Sequence, residues 1–288
     1  MVTQFTLCPT VPSPSFCDRL FGVPEGVEIE LYRQAMLPCV GRVVADVVAT
    51  DHWYLKGATT AETVRTACVG AGITDLTRTG KLLRVHMVAD EAHTFVLGLR
   101  FGMTGRPVLD QIAAIDDLRY TSNDYRHEWV RFALRFTDGS QFEMIDPRRL
   151  GGVDLDPLER LGPDVSTVTT AQLTTALARS QGPLKAALLQ QDRVAGIGNL
   201  LADEILWQCS IAPTRIANQV SSKEMKILAH TIRSTFKILL RRGGSHLGDL
   251  VEHRSRNGTC PRRACRRPVL NRATIGGRTT YWCPVHQQ

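Results

Sequence analysis

Four residues near the end of the chain, Cys260, Cys265, Cys283 and His286, constrain what it can fold into more than any other feature does. They form two short-spaced pairs, C-x4-C and C-x2-H, separated by 17 residues. That is close to the pattern in which two turns each offer half of a tetrahedral zinc set, here with one pair loosened and a histidine as the last ligand. Four protein ligands would close the coordination sphere, so the spacing predicts one structural Zn2+ rather than a catalytic one. The residues between the pairs predict a hairpin turning at Gly276-Gly277. The competing reading is three reduced thiols and an incidental histidine. Against it stands the setting: from Arg254 to Gln288 there are eight arginines and no Asp or Glu. The whole chain carries a formal charge of +7, so everything outside this block sums to −1. A one-sign block at one end of a chain is the footprint of a module that binds a polyanion, most often nucleic acid, although a solvated basic tail has the same charge.

The rest of the chain is ordinary globular sequence. Of 288 residues 43% are apolar and 22% charged, which excludes a disordered polymer, and no apolar run approaches the ~18 residues of a membrane span. The N-terminal stretch has no basic residue before Arg19 and no continuous apolar centre, so it is not a secretory signal. A cytoplasmic location follows as the expectation, and with it a reading of the eight cysteines as reduced thiols rather than a disulfide framework.

Periodicity divides the chain into four stretches. Residues 1–23, with Pro9, Pro12 and Pro14 among Ser and Thr, predict an unstructured extension. Residues 24–156 open on a helix from Val27 to about Met36. Short strands follow at Val43–Val48, Lys81–Val88, Thr94–Arg100, Trp129–Thr137 and Gln141–Ile145, and together they suggest a β-sandwich or barrel. Residues 157–250 read as helices at Ala171–Arg179, Leu184–Gln191, Leu200–Gln208 and Lys223–Arg242, the last opened by a Ser221-x-x-Glu224 capping box. Residues 251–288 are the arginine-rich finger. The fold class is therefore multidomain α+β.

Three apparent motifs fail. Thr79-Gly80-Lys81 lacks the earlier glycine of a phosphate-binding loop, since position 75 is Asp75; His127-Glu128 lacks a second histidine at Arg131; and Gly196-Ile197-Gly198 lacks a third glycine at Leu201.

Other landmarks succeed as a set. Pro24-Glu25-Gly26-Val27-Glu28-Ile29, Gly80-Lys81, Gly102-Met103-Thr104-Gly105, Asp146-Pro147-Arg148-Arg149-Leu150-Gly151, Leu161-Gly162-Pro163-Asp164, Gly196-Ile197-Gly198-Asn199 and the terminal finger occur in this order. The order resembles that of the formamidopyrimidine-DNA glycosylase and endonuclease VIII family, from Pro24 to the C-terminus. The resemblance implies an N-terminal β-sandwich with a flanking helix, a helix-two-turn-helix domain and a zinc-finger hairpin. It implies a bacterial, nucleoid-associated base-excision repair enzyme, working as a monomer on double-stranded DNA. Such an enzyme removes oxidised bases and cuts the strand at the abasic site by β,δ-elimination. By the same resemblance Pro24 is the nucleophile, Glu25 the general acid and Lys81 a lysine beside the lesion. Glu28 lies in the same pocket; Met103, Arg148 and Leu150 fill the gap left by a flipped nucleotide; and His127, Lys185, Asn199 and Arg278 contact phosphates. Asn199 would do so where a helix opens, at an anion site of backbone amides.

Three departures matter. Leu150 stands where the purine enzyme typically has phenylalanine, and Arg100 replaces a common histidine. The segment between Gly243-Gly244 and Cys260 is also shorter than the loop that caps 8-oxoguanine in typical members. Pro-Glu-Gly favours endonuclease VIII while Gly-Met-Thr-Gly and Asp-Pro-Arg-Arg favour the purine enzyme, so oxidised purines, oxidised pyrimidines and abasic sites all stay open. Pro24 is preceded by 23 residues, and inside a chain its nitrogen is an amide without a free lone pair. A start at Val23, whose codon GTG can initiate translation in bacteria, followed by removal of the initiator residue, would free it; proteolysis is the other route. If Pro24 stays blocked, the same surfaces describe a damaged-DNA binding protein without catalysis.

Overall fold

A computed structural model describes residues 24–113 and 124–288 of the chain; the 1–23 extension lies outside the described residues. The first element, α1 (Gly26–Met36), turns its apolar positions to two different cores. Ile29, Tyr32 and Met36 belong to the core of the sheets that follow, whereas Val27 packs into the core of the later helices. One short helix therefore sets the relation between two halves of the molecule, and its first turn lies where they meet.

After α1 come β1 (Val44–Val48), α2 (Ala61–Cys68), β2 (Gly72–Thr79), β3 (Leu82–Asp90), β4 (His93–Arg100), β5 (Arg106–Leu109), β6 (Ile112–Ala113), β7 (Val130–Phe136), β8 (Gln141–Ile145) and β9 (Gly152–Leu155). They make two antiparallel sheets, β1-β7-β8-β5-β6 and β2-β3-β4-β9, with the larger core between them. In β3, Leu83, Val85 and Met87 alternate inward and pair with Leu99, Leu97 and Phe95 of β4, the period-2 signal of a one-sided strand. The β7–β8 turn is the expected Thr137-Asp138-Gly139-Ser140: Gly139 takes φ +85° and the Asp138 carboxylate accepts the Ser140 N–H at 2.9 Å.

The second half contains α3 (Thr170–Leu177), α4 (Leu184–Leu188), α5 (Asn199–Cys209) and α6 (Ser222–Arg242) around an apolar core of their own. The Ser221–Glu224 capping box forms, and Gly243 closes α6 in a left-handed conformation. α4 ends three residues before the expected Gln191. The finger hairpin is β10 (Asn271–Ile275) and β11 (Arg278–Trp282), turning at Gly276-Gly277 as the sequence predicts. Among the described residues no helix is long and apolar enough to cross a membrane.

Arg78 of β2 staples the halves together. Its guanidinium donates to both Asp164 oxygens, at 2.7 and 2.8 Å, and to Glu30 of α1 at 3.2 Å. Burial alone would raise the Asp164 carboxyl, but Arg78 outweighs it and holds the group below its ordinary range. The same carboxylate accepts the Gly80 N–H at 2.7 Å, so the residue next to Lys81 is tied directly to the staple.

Candidate active site and nucleic-acid interface

At the interface between the halves lies the Glu25 side chain, which is fully buried. Its carboxylate accepts three backbone N–H groups at the start of α5: Gly198 at 3.1 Å, Leu200 at 2.8 Å and Leu201 at 2.9 Å. A helix N-terminus is a ready anion site. Three of the amides expected to receive a phosphate around Asn199 are thus satisfied by Glu25 from within the chain. The neighbouring Gly26 N–H donates to Gly196 O at 2.8 Å, a second stitch between the same segments. Burial pushes the Glu25 carboxyl up to about 7; Lys81 and the amides of Leu200 and Leu201 pull against that, and Glu28 adds to it.

Gly198 is glycine because nothing else fits: a Cβ there would lie 2.3 Å from the Glu25 carboxyl carbon. Gly198→Ala is expected to drive Glu25 off the helix end and to lower stability by about 2 kcal/mol, the scale of losing hydrogen bonds to a buried charged group. Urea unfolding checks it, and an unchanged midpoint would sink the idea.

Glu28, one turn further on, is equally buried. Its carboxylate accepts the Glu25 N–H at 2.9 Å, the Ser245 N–H at 2.6 Å and the Ser245 hydroxyl at 2.7 Å. It therefore fixes the chain just after α6 against the first turn of α1.

Lys81 enters β3 and borders two clefts. One, of about 460 Å³, is also lined by Pro24, Arg100, Gly102 and Leu150. The other, of about 340 Å³, is also lined by Gly198, Asn199, Gly276 and Arg278. The structure thus brings Pro24, Lys81 and Leu150 together on one side, and Lys81, Asn199 and Arg278 on the other. Desolvation lowers the Lys81 pKa; Glu25 and Glu28 oppose that shift and Arg278 reinforces it. Arg100 lies in the Pro24 cleft with its charge already spent, paired to Asp154 at 2.5 Å and to Glu159.

Met103 and the Arg148–Leu150 segment sit on two loops joined by the buried Asp146. Its carboxylate accepts the Thr104 hydroxyl at 2.6 Å, the Gly151 N–H at 2.8 Å and the Arg148 N–H at 3.2 Å. Leu150 is 49% exposed, an apolar side chain held out into a cleft. His127 borders neither cleft; it is exposed on a separate groove shared with Asp51, Arg131 and Arg149.

Lys185 corrects the sequence reading. It has no exposed surface, so it cannot meet a phosphate from solution. Instead it pairs with Asp203 at 2.7 Å and donates to Asn199 Oδ1 and Thr280 Oγ1, both at 2.7 Å. It sits behind Asn199 and β11 and orients them. Arg254, one of the eight tail arginines, is buried too, paired with Asp203 at 2.9 Å. Asp203, Arg254 and Thr280 escaped the sequence reading, because nothing in composition separates an inward arginine from an outward one.

The arrangement matches known proteins along its length. Residues 23–153 fit the profile described as the formamidopyrimidine-DNA glycosylase N-terminal domain, and residues 161–250 the one described as the formamidopyrimidine-DNA glycosylase H2TH domain. The formamidopyrimidine-DNA glycosylase of Paracoccus denitrificans is 31% identical, aligned over 92% of this chain and 100% of its own. The chain belongs to the formamidopyrimidine-DNA glycosylase family. The Bacillus subtilis formamidopyrimidine-DNA glycosylase is 28% identical over 91% of this chain and 98% of its own. Among solved structures, the fold is shared with Lactococcus lactis Fpg in complex with abasic-site DNA, with a TM-score of 0.75 at 23% identity, covering 92% of this chain and 99% of that one.

The cysteine cluster of this family member fits zinc on its own geometry. One ligand atom from each of Cys260, Cys265, Cys283 and His286 lies within 4.8 Å of the others. A tetrahedron with metal–sulfur bonds near 2.3 Å has edges of about 3.8 Å. His286 Nε2 faces the Trp207 carbonyl at 3.1 Å, which turns Nδ1 toward the sulfurs, and the Trp207 indole N–H donates to Cys260 Sγ at 3.4 Å. Such outer partners orient metal ligands.

Proposed function

We propose that this member of the family is a bifunctional DNA glycosylase and AP lyase whose nucleophile is the amine of Pro24, acting on double-stranded DNA with oxidised bases or abasic sites. The observation that carries the reading is the buried Glu25 carboxyl, next in the chain to Pro24 and held on the amides of Gly198, Leu200 and Leu201. An unprotonated Pro24 amine attacks C1′ of the damaged nucleotide, and Glu25 delivers a proton to the sugar ring oxygen or the departing base. The base leaves with its bonding electrons as the N–C1′ bond forms; the C1′–O4′ bond then opens, O4′ keeping the electron pair and taking a proton, and the nitrogen lone pair closes the iminium after the amine has lost its own proton. The iminium acidifies C2′; loss of that proton expels the 3′ phosphate, and a second elimination expels the 5′ phosphate. An N-terminal amine, with a pKa of about 8 against about 10.4 for lysine, has far more free base at neutral pH. Lys81, Asn199, Arg278 and, from its separate groove, His127 hold phosphates. Lys185 acts through Asn199. Met103, Arg148 and Leu150 enter the gap left by the flipped nucleotide, an aliphatic wedge in place of an aromatic one. Glu28 sets the pocket by fixing the chain after α6. The finger residues would hold one structural Zn2+, which presents Arg278 but takes no part in bond making.

The mechanism needs a free amine at Pro24, and the working form in this reading begins there. The family match to the N-terminal domain, which begins at residue 23, supports that reading. The protein would act as a monomer in the bacterial cytoplasm, at the nucleoid. Borohydride trapping on an abasic duplex tests the proposal. Chain beginning at Pro24 should give a covalent adduct and chain beginning at Met1 none. If neither traps, the protein is a damaged-DNA binder; if both do, another amine, Lys81 first, is the nucleophile.

A further inference from the structure

The wedge loop carries two arginines in a row, and the structure treats them differently. Both are exposed, but the Arg149 guanidinium is folded back onto Asp51, with Nε and Nη2 each 2.6 Å from a carboxylate oxygen. Leu150 lines the Pro24 cleft and Arg149 the separate groove, so the loop faces two ways. The turn that does this puts Arg149 at φ +56°, a left-handed conformation costly for a residue with a Cβ. Something must hold it there.

Asp51 has the means. It lies in the connection after β1, its side chain only 11% exposed, with Arg131 of β7 4.0 Å away. Arg131 in turn donates to the Asp146 carbonyl at 2.8 Å, at the base of the same loop. The segment that carries Asp51 continues along the loop: the Tyr54 ring stands where a Cβ on Gly151 would go, and Lys56 N–H donates to Val153 O at 2.8 Å. The Arg149 contact also holds the Asp51 carboxyl below its ordinary range, so the pair is charged throughout the neutral region.

We propose that Asp51 is a positioning residue for the wedge. By clamping Arg149 in its left-handed turn, it projects Arg148 and Leu150 toward the base stack. Asp51 touches no DNA in this scheme and acts only through Arg149. The inference rests on the glycosylase reading, because it presumes that Arg148 and Leu150 enter the duplex.

The test uses the full chain and a duplex with a tetrahydrofuran abasic analogue, with 2-aminopurine as the base opposite it. Wedge insertion displaces the orphan base and raises its fluorescence. Wild-type protein should give the rise; Asp51→Asn should cut it about fivefold while affinity for the duplex falls less than about threefold, since phosphate contacts are untouched. Asp51→Glu should recover part of the signal. Arg149→Gln should match Asp51→Asn, and the double variant should be no worse than either, the mark of two residues acting as one unit. A full signal from Asp51→Asn overturns the proposal, as does a proportional loss of signal and affinity. No signal from the wild type would instead overturn the wedge reading, and the proposal with it.

Discussion

Replacing Glu25 with glutamine is expected to slow excision of an oxidised base by about 10³-fold, within the usual range for a lost general acid. The pH profile should change with it. The Glu25 carboxyl is raised from an ordinary 4.5 to about 7, chiefly by burial, against the pull of Lys81 and the α5 amides. A general acid works in its protonated form, which dominates below that pKa and is depleted above it. The share of Glu25 able to donate should therefore fall about tenfold per pH unit above 7, and excision should fall at that rate above about pH 8, where the amine no longer gains. In the proposed mechanism the Pro24 amine acts in the opposite sense, since it would attack only as free base and gain until about pH 8. The product of the two gives a bell centred between the pKa values. Glu25→Gln removes the falling limb and leaves the rising one. Abasic DNA supplies the control: no base remains to be expelled, so strand cleavage there should drop by less than about tenfold. Single-turnover rates on both substrates between pH 6 and 9 check this. Equal losses on the two substrates, or a surviving alkaline limb in the variant, would reassign the acid.

The physical difference between what the sequence discloses and what it hides is one of range. The Ser221–Glu224 cap, the Gly276-Gly277 turn and the cysteine pairs are local, made by residues a few positions apart, and the structure has all of them. β2, β5, β6 and β9 went unread for local reasons too. β2 carries Gly72 and a register irregularity between Ile73 and Asp75 that break alternation, and the other three are four residues or fewer. The site is different in kind. Glu25 meets amides at Gly198, Leu200 and Leu201, more than 170 positions away, so neither motif alone indicates that one is the anion the other binds. Burial is equally hidden. Lys185 and Arg254 look like DNA contacts by charge, yet both face Asp203 in a shared buried cluster, and only folding makes them supports for Asn199 and β11. Arg149 reads as half of a surface pair until its bond to Asp51 is seen.

Zinc loss through Cys283→Ser should produce the other large effect, because the finger has little else to hold it. Its own apolar cluster is small and is built mainly from the three cysteines, Trp207, Leu250, Leu270 and Tyr281. Serine is a poor zinc ligand, and the binding energy of a structural zinc site, about 10–16 kcal/mol in small peptides, is folding energy for the segment it closes. Two consecutive arginines after Cys265, Arg266 at φ +57° and Arg267 at φ +54°, occupy left-handed conformations that relax once Cys265 is no longer anchored. The consequence reaches the interface along two routes. β11 carries Arg278, and through Thr280 it also meets Lys185, which orients Asn199. The C-terminal residues beyond the ligands are meanwhile tied to the end of α5: Gln287 donates to Ile211 O at 3.1 Å, and Ala212 N–H donates to Gln288 O at 3.0 Å. A freed finger should therefore withdraw Arg278 from one phosphate and misplace Asn199 at another, cutting affinity for abasic duplex by about 10²-fold, at about 1–3 kcal/mol for each hydrogen bond to a charged phosphate. The slope of log affinity against log salt should flatten by about one, because Arg278 is charged and Asn199 is not. The helical core, packed independently of the finger, should stay folded by far-ultraviolet circular dichroism. Metal content by mass spectrometry and DNA affinity at three salt concentrations decide the matter. Full zinc occupancy in Cys283→Ser would remove Cys283 from the ligand set, and zinc loss with unchanged DNA affinity would detach the finger from the interface.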